Sequence, residues 1–206
     1  MIRAKNRFLA LAAVALLGFG LAGCVTNNKE PDYNGPPQLA MPQPAAAQLQ
    51  PGLATTYFSG TYDDIDNMPQ GASGKATGRP GAPVTVLSAT SARGNIFGAP
   101  TEIFYGIRFD GYILLDQPGR YGFAARTNDG NRSWIGNVMV SDDPTTHPER
   151  TTPTKFLDIT QPGWYPIRIM YFQKRDSAGF HYYWQPPGAA APVLVPADKI
   201  KHIPGQ

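Results

Sequence analysis

One cysteine, Cys24, stands in 206 residues, and histidine occurs only at His147, His181 and His202. A single thiol cannot close an intrachain disulfide or build a cysteine-ligated zinc site. The histidines lie far apart, without the doublet spacing of a metal-binding helix, and no serine sits in a nucleophile-elbow pattern. Charged residues make up 16% of the chain and the formal net charge is +3. After residue 24 no stretch carries apolar residues at helical spacing with caps, which argues against a helical fold.

What is present begins at the N-terminus. Arg3, Lys5 and Arg7 precede an apolar run from Phe8 to Ala22. At about 15 residues it is short of the ~20 needed to span a bilayer. A cationic start, a short apolar core and small residues before a cut make residues 1–23 a secretory signal peptide. Its end, Leu21-Ala22-Gly23-Cys24, resembles the bacterial lipobox, in which the cysteine is acylated and becomes the first residue. The resemblance implies a covalent lipid on Cys24 and a membrane-anchored lipoprotein. The other reading is a short membrane anchor with an unmodified thiol. Val25, rather than Asp, points by analogy with enteric sorting to the outer membrane, periplasmic or surface-facing. Loss of residues 1–23 leaves 183 residues and removes three basic side chains and no acid, so the mature chain is formally neutral. The pI near 9.0 therefore owes its excess to the leader, and no basic footprint for nucleic acid remains.

From Cys24 to Gly52 the chain is rich in Pro, Gln and Ala, with no periodic apolar pattern, and reads as a disordered tether. Residues 53–203 read as all-β. Ile103, Tyr105, Ile107 and Phe109 alternate with Phe104, Gly106, Arg108 and Asp110. Tyr121, Phe123 and Ala125 form a second set, and Tyr165, Ile167, Ile169 and Tyr171 a third. Gln117-Pro118-Gly119, Asn128-Asp129-Gly130, Gln161-Pro162-Gly163 and Pro186-Pro187-Gly188 supply turns between them. Strands at this spacing indicate an antiparallel β-sandwich or barrel.

Six pieces in order carry a family resemblance: Gly52-Leu53 with Tyr57-Phe58-x-Gly60; Ile107 to Tyr112; Gly119 to Phe123; Thr127 to Ile135; Pro162 to Ile169; and Ala178 to Trp184 with Pro186-Pro187-Gly188, Val195-Pro196 and Ile200. Together they resemble the protective-antigen-type β-sandwich domain of bacterial toxins, some glycoside hydrolases and yeast flocculins. The resemblance implies a jelly-roll-like antiparallel sandwich. In its sugar-binding members, two consecutive aspartates joined by a cis peptide chelate calcium, which holds two sugar hydroxyls. The matching positions here are Asn128 and Asp129, where Asn replaces one carboxylate and so weakens the charge offered to calcium. The bland alternative is that Asn128-Asp129-Gly130 is a tight hairpin turn.

Other oxygen-rich turns, Asp63, Asp64, Asp66 and Asn67, and Asp142-Asp143, are either cation sites or solvated loops. The loop Gln173–Ser177, with Asp176, lies where family members place a ligand-contacting loop. Trp134 could stack on a sugar or fill the core. In the run Tyr182, Tyr183 and Trp184, at least one side chain faces outward if the strand is regular. No catalytic set is legible, and enzymes of the family usually carry catalysis on a separate domain. The expectation is an envelope lipoprotein, not an enzyme, that binds carbohydrate through Asn128, Asp129, Trp134 and Asp176, with calcium at Asn128 and Asp129. The alternative is a structural or assembly lipoprotein that binds protein partners at the cell envelope.

Overall fold

The alternation along the chain becomes strands in the computed structural model, which describes residues 33, 35–69 and 78–205. Residues 1–23, expected to be a signal peptide, and Cys24 lie outside the described residues. In chain order the strands are β1 (Gln50–Pro51), β2 (Leu53–Ser59), β3 (Arg79–Val84), β4 (Ser88–Ser91), β5 (Tyr105–Leu115), β6 (Gly119–Asn128) and β7 (Asn131–Ile135). They continue as β8 (Val138–Asp143), β9 (Arg150–Thr151), β10 (Lys155–Ile159), β11 (Gly163–Gln173), β12 (Ala178–Gln185), β13 (Val193–Leu194) and β14 (Ile200–His202). Helix among the described residues is confined to three short 3-10 turns.

The strands form two antiparallel sheets. The first runs β1-β14-β5-β11-β7-β8, with β2 sharing the β14 edge of β5 and β3 lying outside β2. The second runs β10-β6-β12-β13, with β9 on the same edge of β6 as β10 and β4 on the same edge of β12 as β13. The inward residues of each sheet are those that the period of two selects. Ile107, Phe109, Ile169 and Tyr171 from the first sheet meet Tyr121, Phe123, Phe180 and Tyr182 from the second in one buried core. Phe180 sits at the centre, with its ring 5.8 Å from Phe109 and 5.4 Å from Tyr171. Burying a large apolar side chain of this kind contributes about 1.5–3 kcal/mol.

The alternation reaches further than its sequence pattern at one end and less far at the other. β5 begins at Tyr105, because Phe104 adopts a φ of 60° and turns the chain, leaving Ile103 and Phe104 exposed. Beyond Asp110 the strand continues through buried Ile113 and Leu115. Within the aromatic run of β12, Tyr182 and Trp184 point inward and Tyr183 is the half-exposed member.

Residues 35–52 differ from the expected disordered tether. The Gln38 amide donates to the Gly136 carbonyl at 2.8 Å and the Ala40 amide to the Trp164 carbonyl at 3.0 Å. Gln43 adds three bonds: its Nε2 donates to the carbonyls of Ala40 (2.7 Å) and Trp164 (3.0 Å), and its Oε1 accepts from the Trp164 amide (2.8 Å). Ala40 is buried, Leu39 packs on the core, and β1 pairs with β14. The segment is a strap across one end of the sandwich. Composition points to disorder because the strap has no face of its own to bury; it satisfies its backbone groups on strand ends instead. The fit needs Gly136: a Cβ there would lie 2.4 Å from the Gln38 nitrogen.

Loss of the Gln43 side chain strips these bonds from the strap. Gln43→Ala in the full chain is expected to lower unfolding free energy by about 1–2 kcal/mol in urea titration; no change would mean that the Gln43 bonds contribute nothing to stability.

Candidate functional site

Asn128-Asp129-Gly130 is not a hairpin turn. β6 lies in the second sheet and β7 in the first, so these residues carry the chain from one sheet to the other, with the Asn128–Asp129 peptide in cis. Gly130 is required by close approach, since a Cβ there would lie 2.5 Å from the Phe172 ring and 2.6 Å from the Pro144 carbonyl oxygen. Buried Asn131 anchors the far side: its Nδ2 donates to Thr127 Oγ1 at 2.8 Å, and its Oδ1 accepts from Ser141 Oγ at 2.5 Å.

Asp129 is only 3% exposed, and its carboxylate joins two loops to the crossing. Oδ1 accepts the His147 amide at 3.2 Å and Oδ2 the Lys174 amide at 2.9 Å. The Tyr171 hydroxyl lies 2.6 Å from the Asn128 carbonyl oxygen and 2.7 Å from Gln173 Oε1. Gln173 Nε2 then donates to the carbonyls of Arg175 (2.7 Å) and Ser177 (3.1 Å), which shapes the 174–177 loop from inside. Burial pushes the Tyr171 hydroxyl well above its ordinary pKa, so it stays a neutral donor. Burial likewise raises the Asp129 carboxyl, against the pull of the Lys174 and His147 amides.

At the solvent side of this crossing lies a cleft of about 250 Å³ lined by Thr90, Ser91, Ala92, Asn128, Glu149, Ser177, Ala178 and Gly179. The sheet builds it: Gly179 pairs with Thr90 on one side and Asn128 on the other. A larger groove of about 620 Å³ runs along β3, but Pro, Gly and Val dominate its walls and it gathers fewer polar side chains.

Of the residues singled out in the sequence, Asn128 lines the cleft. Asp129 supports it from behind rather than facing it. Asp176 is exposed in the neighbouring loop, with φ 65°, and is not among the lining residues. Trp134 is 6% exposed and packs with Phe58, Tyr62, Ile65, Met68, Met170 and Phe172 on the outer side of the first sheet, so it is no stacking platform. The acidic turns are engaged within the protein. Arg132 donates to Asp142 at 2.6 Å and Asp66 at 2.5 Å, Asp63 pairs with Lys174, and Asp143 pairs with Arg150. Thr90, Glu149 and Gly179 join the site without any local signal, because strand pairing alone brings 88–91, 149 and 178–181 together.

Calcium takes six to eight oxygen ligands and generally several carboxylates. At the crossing, Asp129 is the one carboxylate, it is turned inward, and both its oxygens already accept backbone N–H groups. Asn128 adds only a neutral amide. Among the described residues no three His, Cys, Asp or Glu side chains gather as a metal-holding group. Asn128 and Asp129 thus supply a single carboxylate between them, fewer charged ligands than calcium generally takes.

A family model for the PA14 domain matches residues 49–198, and the chain belongs to that family. No curated protein matches the chain. Among solved structures, the PA14 domain of the MpAFP antifreeze protein superposes with a TM-score of 0.62 at 16% identity, over 79% of this chain and 96% of that one. The epithelial adhesin 9 A domain of Candida glabrata, solved with Galβ1-4GlcNAc, gives 0.59 at 12% identity over 82% and 95%. An anti-sigma factor domain-containing protein gives 0.61 at 15% identity over 73% of this chain; the chain spans about half of that protein (48%). These likenesses establish the shared fold.

The Asp129 carboxyl holds its proton to higher pH in the folded than in the unfolded chain, so its contribution to stability falls as pH rises through the window just above the ordinary value of 3.8. Asp129→Asn cannot accept from both amides and is expected to lose about 1–3 kcal/mol at neutral pH. It should also flatten the fall in that window. Urea unfolding across pH measures both, and an unchanged profile would mean that the carboxylate does not join the loops.

Proposed function

We propose that this protein is an exported lipoprotein that presents a non-catalytic carbohydrate-binding PA14 domain at the cell envelope. The observation that carries the reading is the cleft itself. Asn128, Thr90, Ser91, Glu149 and Ser177 bring amide, hydroxyl and carboxylate groups around a glycine floor, the donor and acceptor mix that sugar hydroxyls require. The family membership and the sugar-bound adhesin relative support it. With only one carboxylate between Asn128 and Asp129, the reading assigns binding to direct hydrogen bonds rather than to a resident calcium ion.

The strap supports a working orientation. It crosses the end of the sandwich where Gly136 and Trp164 lie, whereas the cleft sits at the opposite end of β11. Eleven residues of β11 separate the two ends, about 35 Å at strand rise. An anchor on Cys24 therefore leaves the cleft facing away from the attachment. Thirteen residues, Val25 to Pro37, separate Cys24 from the first strap bond at Gln38. They reach at most about 45 Å. The domain is held closer to the bilayer than a tether running to Gly52 would allow.

Two measurements test this. Glycan-array or polysaccharide pull-down assays on the full chain, with and without EDTA, are expected to show binding to at least one glycan class in both conditions. Failure to bind any glycan in either condition sinks the carbohydrate reading, and loss of binding in EDTA would restore calcium to the site. Separately, Cys24→Ser is expected to move the protein from the membrane to the soluble fraction and to abolish incorporation of labelled fatty acid; retention of label would place the lipid elsewhere.

A further inference from the structure

We infer that Glu149 is the principal ligand-contacting acceptor of the cleft, and that the cleft takes a neutral or amino-sugar ring in preference to a uronic acid. This rests on the carbohydrate reading above and narrows it to a residue and a class of sugar.

The two oxygens of Glu149 have different roles. Oε2 accepts from Arg126 Nη2 at 2.6 Å, which fixes the carboxylate against the sheet. Oε1 lies over Gly179, where a Cβ would come within 2.7 Å of it. His181 Nε2 lies 3.8 Å from Oε1, beyond hydrogen-bonding reach. The opposite ring nitrogen of His181, Nδ1, is 2.8 Å from Ser88 Oγ. Burial lowers the His181 pKa, which keeps the ring from drawing Oε1 into a charged pair at neutral pH.

One carboxylate oxygen is thus held in place and left as an unmatched acceptor on the wall of the cleft. A carboxylate only accepts, and its bonds from hydroxyl or ammonium donors are stronger than neutral ones. Sugar hydroxyls and the ammonium of an amino sugar are such donors. The carboxylate of a uronic acid placed there would set acceptor against acceptor and like charge against like. The volume, about 250 Å³, is below the roughly 300–1,000 Å³ of pockets for drug-sized ligands, so the site receives one ring and not a chain segment. Asn128, across Gly179, offers both an amide donor and an acceptor to the same ring. The negative acceptor therefore comes from a residue of the 144–149 loop, and the Asp129 carboxylate serves to hold that loop through the His147 amide.

Calorimetric titration of the full chain with neutral, amino-sugar and uronic-acid oligosaccharides tests this. Wild type is expected to bind neutral or amino sugars and to bind uronic acids at least about tenfold more weakly. Glu149→Ala should weaken binding by about tenfold or more. Gly179→Ala keeps the carboxylate but pushes it aside, and should weaken binding likewise. Thermal unfolding checks that each variant is folded; Glu149 is partly exposed, so its removal should leave the melting transition near that of wild type. Unchanged affinity in a folded Glu149→Ala, or a wild-type preference for uronic acids, would overturn the inference and leave carbohydrate binding intact. A wild type that binds none of the three classes overturns both.

Discussion

The buried carboxylate of Asp129 is the constraint on which the cleft end of the sandwich depends. Two sheets packed face to face are held by apolar contact, which is strong but indifferent to how loops lie at the strand ends. Asp129 supplies the direction. By accepting the amides of His147 and Lys174 it ties the loops after β8 and β11 to the point where the chain crosses between sheets. Removing an ion from water is costly, and the raised pKa reflects that cost. Once buried, however, the carboxylate has no competing solvent, so its bonds to the two amides are specific and the loops take a single arrangement. The hydroxyls and amides of Tyr171, Gln173 and Asn131 extend this scheme through the same end of the molecule.

A second polar device works on the outer side of the first sheet. Arg132 is almost wholly buried and divides its guanidinium between Asp66 and Asp142. It clamps the segment around the Ile65–Asn67 turn over Trp134, Met170 and Phe172, making a small apolar layer outside the main core. Asp66 and Asp142, which looked like cation ligands, are therefore counter-ions for a buried arginine. The same chemistry that would suit a cation in a loop suits a guanidinium in a fold. Only the position of Arg132, 66 residues away in sequence from Asp66, decides between them.

Much of the fold was legible because a sheet imposes a period of two. Ile107, Phe109, Tyr121, Phe123, Ile167 and Ile169 all face the core as their alternation requires. The order of the motifs between Gly52 and Ile200 carried the family resemblance, and the family model covers nearly the same residues. The site was less legible. Asn128, which lines the cleft, lies in a recognisable motif, whereas nothing around Glu149 repeats or alternates. Trp134 was misread as a ligand platform because an aromatic residue at a strand centre has the same local pattern whether solvent or another loop covers it. The strap was missed for the converse reason: its partners, the carbonyls of Gly136 and Trp164, are backbone groups that no sequence pattern displays.

The sequence by itself determined the layered β architecture and the inward residues. Those properties depend on local spacing and on composition, which a linear chain expresses directly. The tertiary structure decided which side of the β6–β7 crossing carries the usable chemistry. Asp129 faces inward to amides, Asn128 lines the cleft, and Glu149 arrives from 20 residues downstream with one oxygen bound to Arg126 and the other over Gly179. Hydrogen bonds and ion pairs act over a few ångströms of space without regard to separation along the chain, so a site made of them exists only once the two sheets have closed.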